Sequence, residues 1–137
     1  MTTAALNDTE RDGLAAVGAP LHRRVRRAVE VSLRPYNGRL FVAHTADEYK
    51  AAHKRVFAAD DELTCATEGR FARGEGKDGM WTYLVWAEKP HTLAHELSHV
   101  ALHVFERCGI DPRSGNGEPF CYLLSQLMLD AHKAPNV

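Results

Sequence analysis

The feature that most constrains the fold of this chain is a long helix-forming segment between Pro90 and Gly109. Proline is favoured in the first turn of a helix and glycine just past its end. A helix with a wide apolar surface packs at the centre of a domain, so the segment predicts a central helix that ends near Arg107. The apolar residues that recur at helical spacing along it are Leu93, Ala94, Leu97, Val100, Ala101, Val104 and Phe105.

The rest of the chain predicts two strand pairs and two shorter helices. Val29, Val31 and Leu33 alternate with polar residues, as in a half-buried strand, and Asn37-Gly38 is typical of a tight hairpin turn. The other predicted elements are a returning strand at 39–43, a helix at 46–57 capped by Thr45 and Glu48, a hairpin of 69–73 and 79–87 around a glycine-rich turn, and a last helix at 120–132 opened by Pro119.

The order of these elements favours an α+β fold, a single domain in which a small twisted sheet packs against the central helix and the C-terminal helix. The chain has 137 residues, 45% of them apolar and 26% charged, which fits one compact domain. We expect residues 1–20 to form a flexible arm and residues 21–137 to form the domain. The strand at 79–87 is apolar on both faces, which predicts that both sides of the sheet are covered.

The charge balance argues against two classes of partner. The formal net charge of −1 gives no general attraction to nucleic acid or to a membrane surface. Arg23, Arg24, Arg26 and Arg27 form a local basic cluster, which fits a solvated face or a phosphate-binding patch. We recognise no signal peptide and no membrane-spanning stretch, which favours a cytoplasmic protein.

The three cysteines, Cys65, Cys108 and Cys121, are odd in number and widely spaced. They form neither a disulfide framework nor a structural zinc motif, so a reduced protein is expected. We expect Cys121 to be a core residue of the last helix.

The central helix carries His95 and His99, with Glu96 between them. Residues four apart on a helix lie side by side, with Cβ atoms about 5–6 Å apart, so the two imidazoles can converge on one ion. Glu96 projects about 100° around the helix from His95, beside that ion. A carboxylate there can take a proton from a zinc-bound water, which is the chemistry of a His-Glu-x-x-His site. The alternative is a polar helix face that carries histidines by chance.

A catalytic zinc site needs a third protein ligand and an open position for water. Six residues past His99, where a longer form of the motif has another histidine, this chain has Phe105. Asp111 lies in a predicted loop, whereas Glu118 stands at the start of the last helix, where the helix dipole favours an ionised carboxylate. Glu118 is therefore the predicted third ligand, and an ordinary helix-start carboxylate is the alternative.

Three further features have two interpretations each. His103 continues the histidine stripe and is expected either to assist catalysis or to be a surface histidine paired with Glu106. Tyr122, one turn after Glu118, is expected either to donate a hydrogen bond to the oxyanion of a tetrahedral intermediate or to pack in the core. The strand from Trp81 to Ala87 is either a plain hairpin strand or an edge that binds an extended peptide.

The two histidines with their glutamate, followed about twenty residues later by Glu118 on another helix, resemble the gluzincin branch of the zincin metallopeptidases. The stretch from Trp81 to Met128 also resembles small zincin-like proteins encoded in phage and prophage genomes. This likeness covers about a third of the chain. It implies a zincin-like fold with His95, His99 and Glu118 as zinc ligands and Glu96 as the general base.

The sequence therefore predicts a zinc-dependent metallopeptidase that acts on a peptide or protein substrate. One alternative is a structural or assembly component of a phage particle, which would have a vestigial site and would associate with phage structural proteins in the virion. Another is a regulatory protease that acts on one repressor-type partner. Two histidines and a carboxylate also suit iron(II) oxygenases, but the general base on the same helix favours hydrolysis with zinc.

Overall fold

A computed structural model describes residues 27–64 and 67–133. The predicted arm at 1–20, Arg23, Arg24, Arg26 and Cys65 lie outside the described residues. The elements follow in the predicted order, and each predicted helix is found to within two residues at either end. They are β1 (Val29–Val31), β2 (Arg39–Ala43), α1 (Ala46–Phe57), β3 (Gly69–Glu75), β4 (Trp81–Ala87), α2 (Pro90–Cys108) and α3 (Glu118–Lys133), with a 3-10 turn at Ser114–Gly117.

The four strands form one mixed sheet in the order β1-β2-β4-β3. The pairs β1–β2 and β4–β3 are antiparallel, and the pair β2–β4 is parallel. β4 therefore has a neighbour on each side and offers no edge to a peptide, contrary to one of the two interpretations of its sequence. The edges of this sheet are β1 and β3.

Helices cover both faces of the sheet, as the apolar pattern of β4 predicts. Tyr83 and Val85 of β4 belong to the larger core, which also contains the apolar residues of α2 and α3. Leu84 and Trp86 point the other way and pack with residues of α1 in a second core. The mixed α/β class and the single small domain are thus confirmed. No helix within residues 27–64 and 67–133 is long and apolar enough to cross a membrane.

Local signals set the ends of the two helices that flank the sheet. At the start of α1 the backbone amide of Glu48 donates to Thr45 Oγ1, and the Glu48 carboxylate accepts from the amide of His44. At the end of α2, Gly109 adopts a left-handed conformation with φ of 69°. This position favours glycine because a Cβ atom would be strained there.

The first hairpin differs from its prediction. β1 ends at Val31, and the connection to β2 spans residues 32–38 instead of a two-residue turn. The amide of Tyr36 donates to the carbonyl of Leu33, which forms a turn inside that connection. Leu33 is buried and Tyr36 packs against the same core, so burial of these two side chains draws the chain away from the strand.

Candidate metal centre

His95 and His99 lie on the first half of α2 and converge at their tips. Their Nε2 atoms are 3.2 Å apart. Two nitrogen ligands of a tetrahedral ion, each about 2.0–2.1 Å from it, are about 3.3 Å apart, so the two imidazoles are spaced to share one ion. Both side chains are exposed, so an ion bound there would be accessible from solvent.

Glu96 lies beside this pair in a different environment. Its side chain is buried, with 8% of the residue exposed. Ligand atoms of Glu96, His95 and His99 lie within 4.8 Å of one another, and no other such group of His, Cys, Asp or Glu occurs among the residues described. Burial raises the pKa of Glu96, and the positive charges of His95, His99 and Arg70 oppose this shift without cancelling it. A raised pKa suits a carboxylate that accepts and returns a proton near neutral pH.

The edge strand β3 lies beside the site, and successive residues on one face of β3 meet successive residues along α2. Gly69 faces Glu96, and a Cβ atom built on Gly69 would lie 2.9 Å from Glu96 Oε2. Phe71, the next residue on that face, stacks on His99 with ring centroids 5.4 Å apart. Arg73 follows and contacts His103. Because side chains alternate between the two faces of a strand, Gly69, Phe71 and Arg73 share the face of β3 that lies beside the motif.

His103 is held in place one helical turn beyond His99. Its Nδ1 lies 2.8 Å from the hydroxyl of Tyr83, and its ring stacks on Trp81. Burial lowers the pKa of His103, and Arg73 lowers it further. The side chain is only 13% exposed and lies 4.0 Å from Glu106, so His103 is a half-buried, oriented group rather than a surface histidine.

Glu118 begins α3 and is exposed. It is not part of the group formed by His95, Glu96 and His99. Gly115 and Asn116 adopt left-handed conformations with φ of 60° and 61°, which turns the chain sharply before Glu118. Phe120 then packs edge-on against Phe105, with centroids 5.9 Å apart, and this contact holds the start of α3 against the second half of α2.

The two other residues singled out on α3 are exposed. Tyr122 is 72% exposed, so it does not pack in the core, and its role as a hydrogen-bond donor to a substrate stays a prediction. Cys121 is also exposed, which corrects its prediction as a core residue. Leu123 and Leu127 supply the buried stripe of α3 instead, and the turn before Glu118 sets which stripe faces α2.

The sequence predicted the three residues that come together but not the residues of β3 and β4 that lie beside them. Gly69, Phe71, Arg73 and Tyr83 lie on two strands, more than ten residues before the motif. The available signal was the alternation of Gly69, Phe71 and Arg73, which gives them one face of a strand. Only the pairing of β3 with β4 brings that face to α2.

Comparisons with known proteins add no family to this description. No protein-family model, no curated protein and no solved structure matches the chain.

Proposed function

We propose that this protein is a zinc-dependent peptidase with a zincin-like site on α2. The observation that carries the proposal is the 3.2 Å separation of the two Nε2 atoms, together with the buried Glu96 beside them. Zinc bound between the imidazoles would polarise a peptide carbonyl and acidify a water molecule. Two histidines at this spacing suit zinc. Their exposure leaves room at the ion for water and substrate.

Glu96 has the properties of the general base in this reaction. No side chain or backbone group among the residues described donates a hydrogen bond to its carboxylate, which is therefore free to accept the proton of the attacking water. The same carboxyl group can then pass the proton to the leaving nitrogen. Its burial strengthens the first step, because a poorly solvated carboxylate is a stronger base.

β3 is suited to position a substrate. One side of β3 pairs with β4, and the other side has no strand partner in the described sheet. An extended peptide can add to such an edge through main-chain hydrogen bonds, in line with the histidines. This interpretation moves the peptide-binding strand from β4, where the sequence pattern suggested it, to β3.

The first test compares Glu96→Gln with the native protein and with Glu88→Gln, an exposed control just before α2. We expect all three proteins to retain about one zinc ion per chain by elemental mass spectrometry. Hydrolysis of a peptide library, read by mass spectrometry, should be lost only in Glu96→Gln. Cleavage by Glu96→Gln at the native rate contradicts the mechanism.

A non-catalytic metal site is the second candidate function, and it corresponds to the structural or assembly component considered from the sequence. The observation that favours this second function is that Glu118 lies outside the group of three, which leaves His95 and His99 as the metal ligands. Glu118→Ala separates the cases. A large loss of zinc affinity in this variant supports Glu118 as a third ligand, whereas unchanged affinity with no cleavage by the native protein favours the structural role.

A further inference from the structure

A second polar cluster lies one helical turn beyond the metal ligands. It consists of His103 and Arg107 of α2, Tyr83 of β4 and Arg73 of β3, and we call it the His103 cluster. His103 lies between the ring of Trp81 and the hydroxyl of Tyr83, which holds its imidazole in one orientation. None of these residues is needed for the proton transfers assigned to Glu96.

Tyr83 and Arg73 contact the two ring nitrogens of His103. Tyr83 is fully buried, and its hydroxyl accepts a hydrogen bond from Arg107 Nη1 at 3.1 Å. His103 Nδ1 lies 2.8 Å from the same hydroxyl. Arg73 Nη1 contacts His103 Nε2, and because a guanidinium can only donate, Nε2 is the acceptor in that contact.

The guanidinium of Arg73 has further N–H donors besides the one that faces His103 Nε2. Within residues 27–64 and 67–133, no carboxylate lies within 4.0 Å of the guanidinium of Arg73 or of Arg107. Glu106 is 77% exposed and reaches only to 4.0 Å from His103 Nε2. The cluster thus presents two guanidinium charges that no carboxylate among the described residues neutralises.

We propose that Arg73 binds a carboxylate of the substrate, so that the enzyme prefers acidic peptides. This inference rests on the proposed peptidase function. His99 and His103 are four residues apart, with Cβ atoms about 6 Å apart. A glutamate side chain spans about 5 Å from its own carbonyl carbon to its carboxylate, so the carbonyl can lie at the histidine pair while the carboxylate meets Arg73.

The direction of β3 indicates which substrate residue is acidic. β3 runs from Gly69, beside Glu96, to Arg73, beside His103. A substrate strand that pairs antiparallel with its free edge runs the other way, so residues before the cleaved bond pass Arg73. An acidic side chain on the N-terminal side of the cleaved bond is therefore the favoured source of the carboxylate, ahead of a free C-terminal carboxylate.

Metal-binding hydroxamates test this without a known substrate. The first pair is N-acetylglutamate α-hydroxamate and its glutamine counterpart, which carry an acidic or neutral side chain on the N-terminal side. The second pair is succinic monohydroxamate and its carboxamide, which mimic a substrate with or without a free C-terminal carboxylate. Affinities are measured by calorimetry on the zinc-loaded full chain, on Arg73→Gln, and on Arg55→Gln, a control that removes an exposed charge from α1 on the opposite face.

We expect the glutamate hydroxamate to bind about tenfold more tightly than the glutamine hydroxamate in the native protein and in Arg55→Gln. Arg73→Gln should abolish this difference and leave the affinity for the glutamine hydroxamate unchanged. A difference confined to the succinate pair, and lost in Arg73→Gln, supports a carboxylate site but assigns it to a C-terminal carboxylate.

Equal binding within both pairs overturns the carboxylate site and leaves the metal centre intact. A preference that persists in Arg73→Gln also overturns it. Failure of all four compounds to bind overturns the inference as well, and the zinc content of the same sample then shows whether the metal centre fails with it.

Discussion

Gly69 shows how a single residue on a distant strand shapes the environment of the proposed base. A Cβ atom there would lie 2.6 Å from Thr92 Cγ2 and 2.9 Å from Glu96 Oε2. Both distances are shorter than real contacts of this kind, so a side chain at position 69 must displace the first turns of α2, the carboxylate of Glu96, or both. The absence of a side chain at Gly69 is thus what lets β3 approach Glu96.

Gly69→Ala should therefore disturb the site. We expect a loss of about 1–3 kcal/mol in the free energy of unfolding, from overpacking against Thr92 and Glu96. We also expect a lower rate of peptide hydrolysis, because the carboxylate of Glu96 is displaced. Urea unfolding and the hydrolysis assay measure the two effects.

Gly74→Ala is the matched control on the same strand, since a Cβ atom there would lie an ordinary 3.6 Å from Phe57. It should change neither quantity appreciably. Equal stability and activity of the two alanine variants would show that β3 does not press on Glu96.

At the scale of elements, a charged network ties α1 to β3 on the face of the sheet away from the metal centre. Asp61 accepts hydrogen bonds from the hydroxyl of Tyr49 on α1 and, at 3.0 Å each, from Nε and Nη2 of Arg70 on β3. Burial opposes ionisation of Asp61, but the bonds from Tyr49 and Arg70 outweigh it and lower its pKa. The network holds the segment between α1 and β3 against the sheet, and so supports the strand that lines the site.

Asp61→Asn should lower stability in a pH-dependent way. The folded-state pKa of Asp61 lies below its unfolded value of about 3.9, so ionised Asp61 stabilises the fold above that pH. This stabilisation is lost as pH falls through the lowered folded-state pKa. At pH 7 we expect the variant to be less stable by about 1 kcal/mol, a modest value because Arg70 is partly exposed.

Urea unfolding of both proteins at pH 7 and in acid near the folded-state pKa checks this expectation. The two free energies of unfolding should converge in acid. A difference of the same size at both pH values would mean that the charge of Asp61 does not contribute.

At the scale of the whole molecule, the candidate metal centre lies where α2 meets the edge of the sheet. One flank of α2 faces β3, and Ala101 and Phe105 belong to the core shared with α3. The two histidines are exposed and His99 stacks on Phe71 of β3, so an ion bound between them would be held by residues of one helix and flanked by one strand. Binding should therefore depend on the folded protein, since the geometry of α2 is maintained by packing on both sides.

Zinc should consequently raise the thermal stability of the native protein. At a free zinc concentration about 100 times the dissociation constant, the gain is about 2.7 kcal/mol. For a chain of this size that corresponds to an increase of about 10 °C in Tm, reversed by a chelator. Scanning calorimetry with zinc and then with excess chelator measures both.

His99→Ala should lose this response, whereas His91→Ala, which removes an exposed histidine from the same helix, should retain it. The same zinc-dependent shift in the native protein and in His99→Ala would indicate that zinc binds elsewhere.

Features that depend on neighbours along the chain could be predicted from the amino-acid sequence alone. Apolar spacing, Pro90 and Gly109 defined α2, and Thr45 with Glu48 defined the start of α1, because helices and their caps form from contacts within a few residues. The convergence of His95 and His99 followed from the same local geometry. The composition and the element order were enough for the mixed α/β class.

Features that depend on contacts between distant strands and helices could be seen only in the tertiary structure. Sequence patterns could not show that β4 lies inside the sheet and β3 at its edge, because alternation gives the faces of a strand but not its neighbours. Nor could they show that Arg73 meets His103, since thirty residues separate the two. The position of Glu118 outside the histidine group depends likewise on the packing of Phe120 against Phe105, a contact between elements that no local pattern encodes.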